Sequence, residues 1–137
     1  MKRAPFVWLT DFIGWLPMDP DPGSREAREY RGFVPDLYAH LAGCDLAVVQ
    51  GGLSTCMELA ATKRPFLYFP LKNHFEQNIH VAHRLARYGA GVRMEYDRTD
   101  PEGLAHAIAD GLKRPVIYRD VEADGARRAA SLIRLLS

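Results

Sequence analysis

Cysteine is scarce: Cys44 and Cys56 are the only two in 137 residues, too few for a disulfide framework. Both stand among small or apolar neighbours, so they read as buried, reduced thiols. Long apolar runs are missing too. No stretch approaches the roughly 20 residues of a membrane span. Lys2 and Arg3 precede Phe6–Leu9, but Thr10 and Asp11 end that run too early for a secretory signal. A cytoplasmic protein is the simplest expectation. Charge of one sign is also lacking. Eighteen basic residues meet seventeen acidic ones, for a formal charge of +1, so no field points to nucleic acid or an anionic membrane. There is no internal repeat and no low-complexity tract.

Several signature motifs are missing. No GxGxxG marks a dinucleotide fingerprint, and no HExxH marks a zinc protease. Gly52-x-Ser54 starts like a nucleophile elbow, but Cys56 stands where GxSxG needs glycine. Glu76, His80 and His83 share a helical face without matching a zinc-ligand spacing, so no metal is expected.

What is there suits one globular domain, with 47% apolar and 26% charged residues. Residues 5–10 (PFVWLT) read as a short buried strand. Pro17, Pro20, Pro22 and Gly23, set among Asp19, Asp21 and Ser24, then mark a linker. Beyond it, strands and helices alternate. Tyr30–Phe33 reads as a short strand, Pro35–Ala42 as a helix and Asp45–Gln50 as a strand with an apolar centre. A helix follows from about Ser54 to Lys63, then strand Phe66–Phe69 and a helix from about Phe75 to Tyr88. Ala90–Met94 reads as a strand, and Asp100 caps a helix that opens with Pro101 and Glu102. A last helix spans about Glu122–Leu136, with Ala126, Ala129, Ala130, Ile133 and Leu136 available for one face. Apolar strands alternating with helices predict an α/β domain: a Rossmann-like parallel sheet with helices on both faces. Residues 1–29 form a strand and linker, and residues 30–137 the main domain.

Ligands bind such sheets at the carboxyl ends of the strands, which directs attention to the loops after Phe33, Gln50 and Phe69. After Gln50 comes Gly51-Gly52-Leu53-Ser54-Thr55. Two glycines let a ligand approach the backbone, and the following helix start offers free N–H groups suited to phosphate. Ser54 or Thr55 can donate to a phosphate oxygen, or simply cap the helix. Glu58 lies one turn further on. It can accept from a vicinal diol such as that of ribose, or close a capping box as Thr55-x-x-Glu58. After Phe69 come Lys72, Asn73, His74, Glu76, Gln77 and Asn78. Glu76, Gln77 and Asn78 can bind hydroxyls; alternatively Asn73 or Asn78 caps the next helix and the rest is solvated.

Residues 32–94, GFVPDLYAHLAGCDLAVVQGGLSTCMELAATKRPFLYFPLKNHFEQNIHVAHRLARYGAGVRM, resemble the carboxyl-terminal domain of GT-B glycosyltransferases. The nearest pattern is that of family 28, the group of the lipid II-forming N-acetylglucosaminyl transferases. Its order is a "g-f-v" segment, a helix, "a-D-l-v-i", a glycine turn, Ser/Thr, a Glu, a small-residue helix, "P-x-x-x-x-P", a Gln/Asn cluster and "G-x-G". The resemblance covers about residues 30–137 and implies one half of a GT-B architecture. It implies that Gly51, Gly52, Ser54 and Thr55 hold the donor diphosphate and that Glu58 accepts from the ribose. Backbone at Phe33 and Val34 would meet a uracil-like base. His74, Glu76, Gln77 and Asn78 would face the sugar. In the related plant and animal UDP-sugar transferases, His stands where Gln50 is found here. Asp-Gln stands where this chain has His74-Phe75 or Glu76-Gln77.

The implied function is donor binding in an inverting transfer of a hexose or N-acetylhexosamine. A UDP-linked sugar would be the substrate, with no cofactor or metal. A GT-B enzyme keeps its acceptor site and general base in a separate amino-terminal domain; within this chain His74 is the candidate base. The opening strand and helix usual for the carboxyl-terminal domain are not evident. Residues 4–18 look instead like part of an amino-terminal domain, as in a two-domain enzyme shortened near residues 19–29. An aligned full-length relative without an extra middle segment would exclude that origin. The rival expectations are a binding subunit of a split transferase, a GT-B-type sugar-nucleotide epimerase and an inactive remnant. Trp8, Phe12, Trp15 and Leu16 offer an apolar surface for an acceptor-binding partner or a homodimer.

Overall fold

The computed structural model describes residues 7–9 and 34–136. Four parallel strands run in the order β1-β2-β3-β4: β1 Val7–Leu9, β2 Leu46–Gln50, β3 Phe66–Phe69 and β4 Val92–Arg93. The register pairs Trp8 with Ala47, Val48 with Leu67, and Tyr68 with Arg93. Between the strands lie α1 (Leu37–Gly43), α2 (Leu53–Ala61) and a helical run of Glu76–Val81, in π geometry, continued by α3 (Ala82–Tyr88). A 3-10 turn at Tyr96–Arg98 leads to α4 (Pro101–Lys113), and α5 (Gly125–Leu136) ends the described chain.

Alternation along the strands divides the core into two layers. Ala47, Val49, Phe66 and Tyr68 face Leu41 of α1, Cys56, Leu59 and Ala60 of α2, and Val81 and Leu85. Leu46, Val48, Leu67 and Phe69 face the other way, onto Leu104, Ala107, Ile108 and Leu112 of α4. Sequential parallel strands joined by right-handed crossovers put the connecting helices on one face, which leaves the opposite face for α4. The expected sheet with helices on both faces is therefore present. Gly111 lets α4 lie close to the sheet, since a Cβ there would run into Leu46.

Both cysteines are free and fully buried, as expected. Burial pushes the Cys56 thiol up to about 12 and raises Cys44 as well.

Some boundaries differ from the sequence reading. The strand expected at Ala90–Met94 is two residues long, because Gly91 takes a left-handed φ of 70° just before it. The last helix starts at Gly125, not Glu122. Its apolar residues are exposed, at 62% for Leu132, 82% for Leu135 and 88% for Leu136. The strand expected at Tyr30–Phe33, the linker and the boundary at residues 29–30 lie outside the described residues. Of the apolar surface expected at Trp8, Phe12, Trp15 and Leu16, only the backbone of Trp8 is described.

Candidate functional site

The loops after β2 and β3 lie side by side, because Gln50 pairs with Phe69 at the ends of those strands. Gly51 closes the gap between them. Its N–H donates to the Phe69 carbonyl at 3.2 Å. A Cβ on Gly51 would stand 3.1 Å from Pro70 Cα and 3.4 Å from Gln77 Oε1. The glycine is thus required by close approach of the two loops and not by an unusual φ.

Gly52 is the N-cap of α2, with extended backbone and no side chain capping the helix. The first backbone bond of the helix runs from Cys56 N–H to Gly52 O at 3.1 Å. Leu53, Ser54 and Thr55 are therefore its first three residues, and their N–H groups are left without a side-chain cap. This corrects two readings. Neither Ser54 nor Thr55 is the N-cap, and Thr55 cannot open a capping box with Glu58. Gly52 is the cap, with ordinary extended backbone, and glycine is among the residues favoured at that position. Ser54 is exposed, and Thr55 and Glu58 are half-buried on the first turns of the helix. A helix start without a side-chain cap carries partial positive charge that favours an anion.

The loop after β3 is shaped by its own side chains. Gln77 is the one buried polar residue among those described, at 8% exposure. Its Oε1 accepts from Leu71 N–H at 2.9 Å. Asn78 Nδ2 donates to Leu71 O at 2.6 Å and to His74 O at 2.9 Å. His74 caps the helical run: its Nδ1 accepts from Gln77 N–H at 3.4 Å, and its carbonyl accepts from Asn78 N–H at 3.0 Å. The capping roles considered for Asn73 and Asn78 thus fall to His74, and Asn78 lies inside the helix. A neutral imidazole that accepts at Nδ1 carries its proton at Nε2. With Nδ1 accepting from Gln77, Nε2 is the His74 nitrogen left to donate. To act as a base it would have to give up the contact with Gln77.

The π geometry of Glu76–Val81 falls on these same residues, and such turns are frequent at functional sites. Asn78 bonds back to the carbonyl four residues earlier, a competition that loosens regular helix. Lys72 pairs with Asp97 at 2.7 Å, tying the loop tip to the 3-10 turn, and Asp97 in turn raises the Lys72 ammonium. Glu76 and Phe75 are exposed, and the Phe75 ring meets His80 edge-on at 5.3 Å.

Two residues at this end escaped the sequence reading. Arg93, last of β4, donates to Asn78 Oδ1 at 2.7 Å and pairs through Nε with Glu95 at 2.7 Å. The rule that singled out loops after strands applies equally to the end of β4 and would have found it. Val34 is described and half-buried; Phe33 lies outside the described residues. Among the described residues, no group of three or more His, Cys, Asp or Glu is placed to hold a metal ion. A cavity of about 210 Å³ is lined by Arg87, Tyr88, Arg119, Asp120 and Glu122. It sits at the end of α3, away from both loops. No helix among the described residues is long and apolar enough to cross a membrane.

Comparison with known proteins shows the family to which the chain belongs. Residues 17–134 match the model of the glycosyltransferase family 28 C-terminal domain. An uncharacterized glycosyltransferase of Methanosarcina mazei is 35% identical over 111 residues, covering 80% of this chain and 29% of that protein. Two bacterial proteins named UDP-N-acetylglucosamine–N-acetylmuramyl-(pentapeptide) pyrophosphoryl-undecaprenol N-acetylglucosamine transferase are also similar. That of Anaeromyxobacter dehalogenans (strain 2CP-C) is 36% identical over 91 residues, covering 64% of this chain and 23% of the relative. That of Chromobacterium violaceum is 34% identical over 116 residues, 82% of this chain and 30% of the relative. The chain thus spans under a third of the length of these curated relatives. By sequence match and by fold, it belongs to the glycosyltransferase family 28 C-terminal domain.

Proposed function

We propose that this chain binds the UDP-sugar donor of an inverting glycosyltransferase. The observation that carries the reading is the start of α2. Gly51 and Gly52 bring backbone to a helix end with no side-chain cap, at the carboxyl edge of a parallel sheet. The diphosphate would lie against the N–H groups of Leu53, Ser54 and Thr55, with the Ser54 and Thr55 hydroxyls as further donors. Charge building on the leaving diphosphate during transfer would be stabilised there by preorganised dipoles. Glu58, one turn along the same helix and free of a capping role, would accept from the ribose hydroxyls. His74, Glu76, Gln77 and Asn78 line the neighbouring loop on the sugar side. The base would meet backbone near Phe33 and Val34.

The acceptor and its general base would come from a second domain or subunit. The exposed apolar residues Leu132, Leu135 and Leu136 of α5 and Phe75 of the loop favour such a partner. Two-dimensional amide NMR of the chain with UDP tests the donor reading. The expected result is shifts concentrated at Gly51–Glu58, with none at the Arg87–Arg119 cavity. Shifts confined to that cavity, or none at millimolar UDP, would reject it.

A further inference from the structure

Arg93 occupies the last position of β4, at the carboxyl edge of the sheet and next to the loop that follows β3. Its side-chain hydrogen bonds to described residues bear on that loop or hold the guanidinium still. One terminal nitrogen donates to Asn78 Oδ1 at 2.7 Å, and the other reaches the Asn78 carbonyl at 3.4 Å. Its Nε pairs with Glu95 Oε1 at 2.7 Å. A guanidinium can only donate, so it dictates which way the Asn78 amide faces. With Oδ1 turned to Arg93, Nδ2 must face the loop, where it meets the carbonyls of Leu71 and His74. Reversing the amide would set Oδ1 against two carbonyl oxygens. The second tie, from Leu71 N–H to Gln77 Oε1, comes from the adjacent residue of the same π-helical turn. Two consecutive amide side chains thus close the loop over residues 71–78, and Arg93 sets the orientation of one of them.

We propose that Arg93 is a positioning residue for the sugar end of the donor site: acting through Asn78, it holds the loop bearing His74 and Glu76 in the shape that meets the donor hexose. The inference rests on the donor-binding reading above. Three observations carry it: the donor-only chemistry of the guanidinium, the double contact with Asn78, and the brace from Glu95. Arg93 itself touches no part of the ligand in this account.

The test uses the full 137-residue chain, comparing wild type with Arg93→Ala and Arg93→Lys. Calorimetric titration with UDP and with UDP-N-acetylglucosamine separates the two ends of the site. Amide hydrogen exchange follows the loop without any ligand. In Arg93→Ala, exchange at Leu71, His74 and Asn78 is expected to speed up about tenfold, with the amides of β2 and β3 unchanged. Affinity for UDP-N-acetylglucosamine should fall about tenfold while UDP affinity stays within about twofold. Arg93→Lys should recover part of the loss, since an ammonium can reach Oδ1 but not both Asn78 oxygens. Unchanged loop exchange would overturn the proposal. So would a loosened loop with unchanged affinity for UDP-N-acetylglucosamine, or equal weakening of both ligands, which marks a general structural effect. If the wild type binds neither ligand, the donor reading itself fails and the sugar-end role with it. Exchange then decides separately whether Arg93 holds the loop.

Discussion

Gly51 and Gly91 show how differently a single methyl group acts at two glycines. At Gly51 the added Cβ would meet Pro70 Cα at 3.1 Å, tight enough that the two loops must part by a few tenths of an ångström. Gly51→Ala should therefore fold, lose about 1 kcal/mol in urea unfolding, and bind UDP more weakly. At Gly91 the φ is +70° and the Cβ would stand 2.5 Å from the Phe66 ring, inside the core layer under α2 and α3. Gly91→Ala should lose several kcal/mol, from backbone strain and overpacking together. Equal stability of the two variants would contradict this packing. The cysteines make a second case at this scale. A thiol raised to about 12 by burial keeps its proton in the fold far above the usual range, whereas the unfolded chain gives it up near its ordinary value of 9.0. The folded state then binds more protons between those values, so stability falls as pH rises from about 9 towards 12. Buried Cys44 and Tyr68 and half-buried Tyr118, all raised mainly by desolvation, act in the same direction. Thermal midpoints should be level through neutral pH and drop above 9, less steeply in Cys56→Ala. Neither thiol should react with a disulfide reagent at pH 8 until the protein is unfolded.

At the scale of elements, local chemistry was readable wherever it was strong. Phe66–Phe69 is a run of four apolar residues ended by Pro70, and the strand has those bounds. Asp100 before Pro101 marks a helix start, and its carboxylate accepts from Gly103 N–H at 2.7 Å. Asp100→Ala should cost about 1 kcal/mol, read by urea unfolding, with no change in UDP binding because α4 covers the face away from α2. An unchanged midpoint would mean the cap contributes nothing. The start of α2 lies within one residue of the expected Ser54, but capping by Ser54 or Thr55, the stronger capping residues by chemistry, is not what the helix uses. Gly52 nevertheless takes the cap, with extended backbone and no side-chain hydrogen bond. The π-helical turn had no local signal at all. One of its residues, Asn78, accepts from Arg93 15 residues further along the chain, and such pairings are invisible to periodicity. The last helix was legible as amphipathic, but nothing in its pattern says what its apolar side faces.

Over the whole molecule, the alternation of apolar strands with helices foretold a parallel sheet covered on both faces, and the two core layers fulfil it. Its site is less complete than its sheet. The two loops that the sequence singled out are adjacent, and the glycines, Ser54, Thr55 and Glu58 gather at one helix start. Phe33 lies beyond the described residues, and the curated relatives are far longer than this chain. On this account the chain holds a donor and depends on another domain or subunit for the acceptor. The purified chain should therefore bind UDP yet give little transfer from UDP-N-acetylglucosamine to any acceptor. Brisk transfer by the chain alone would contradict the division of labour. The central claim is that the start of α2 and Glu58 form a working nucleotide site, and calorimetric titration with UDP tests it most directly. The account predicts saturable binding to the wild type that weakens about tenfold in Glu58→Ala, as expected for the loss of hydrogen bonds to a charged group. Absence of binding at millimolar UDP, or equal binding by the variant, would contradict it.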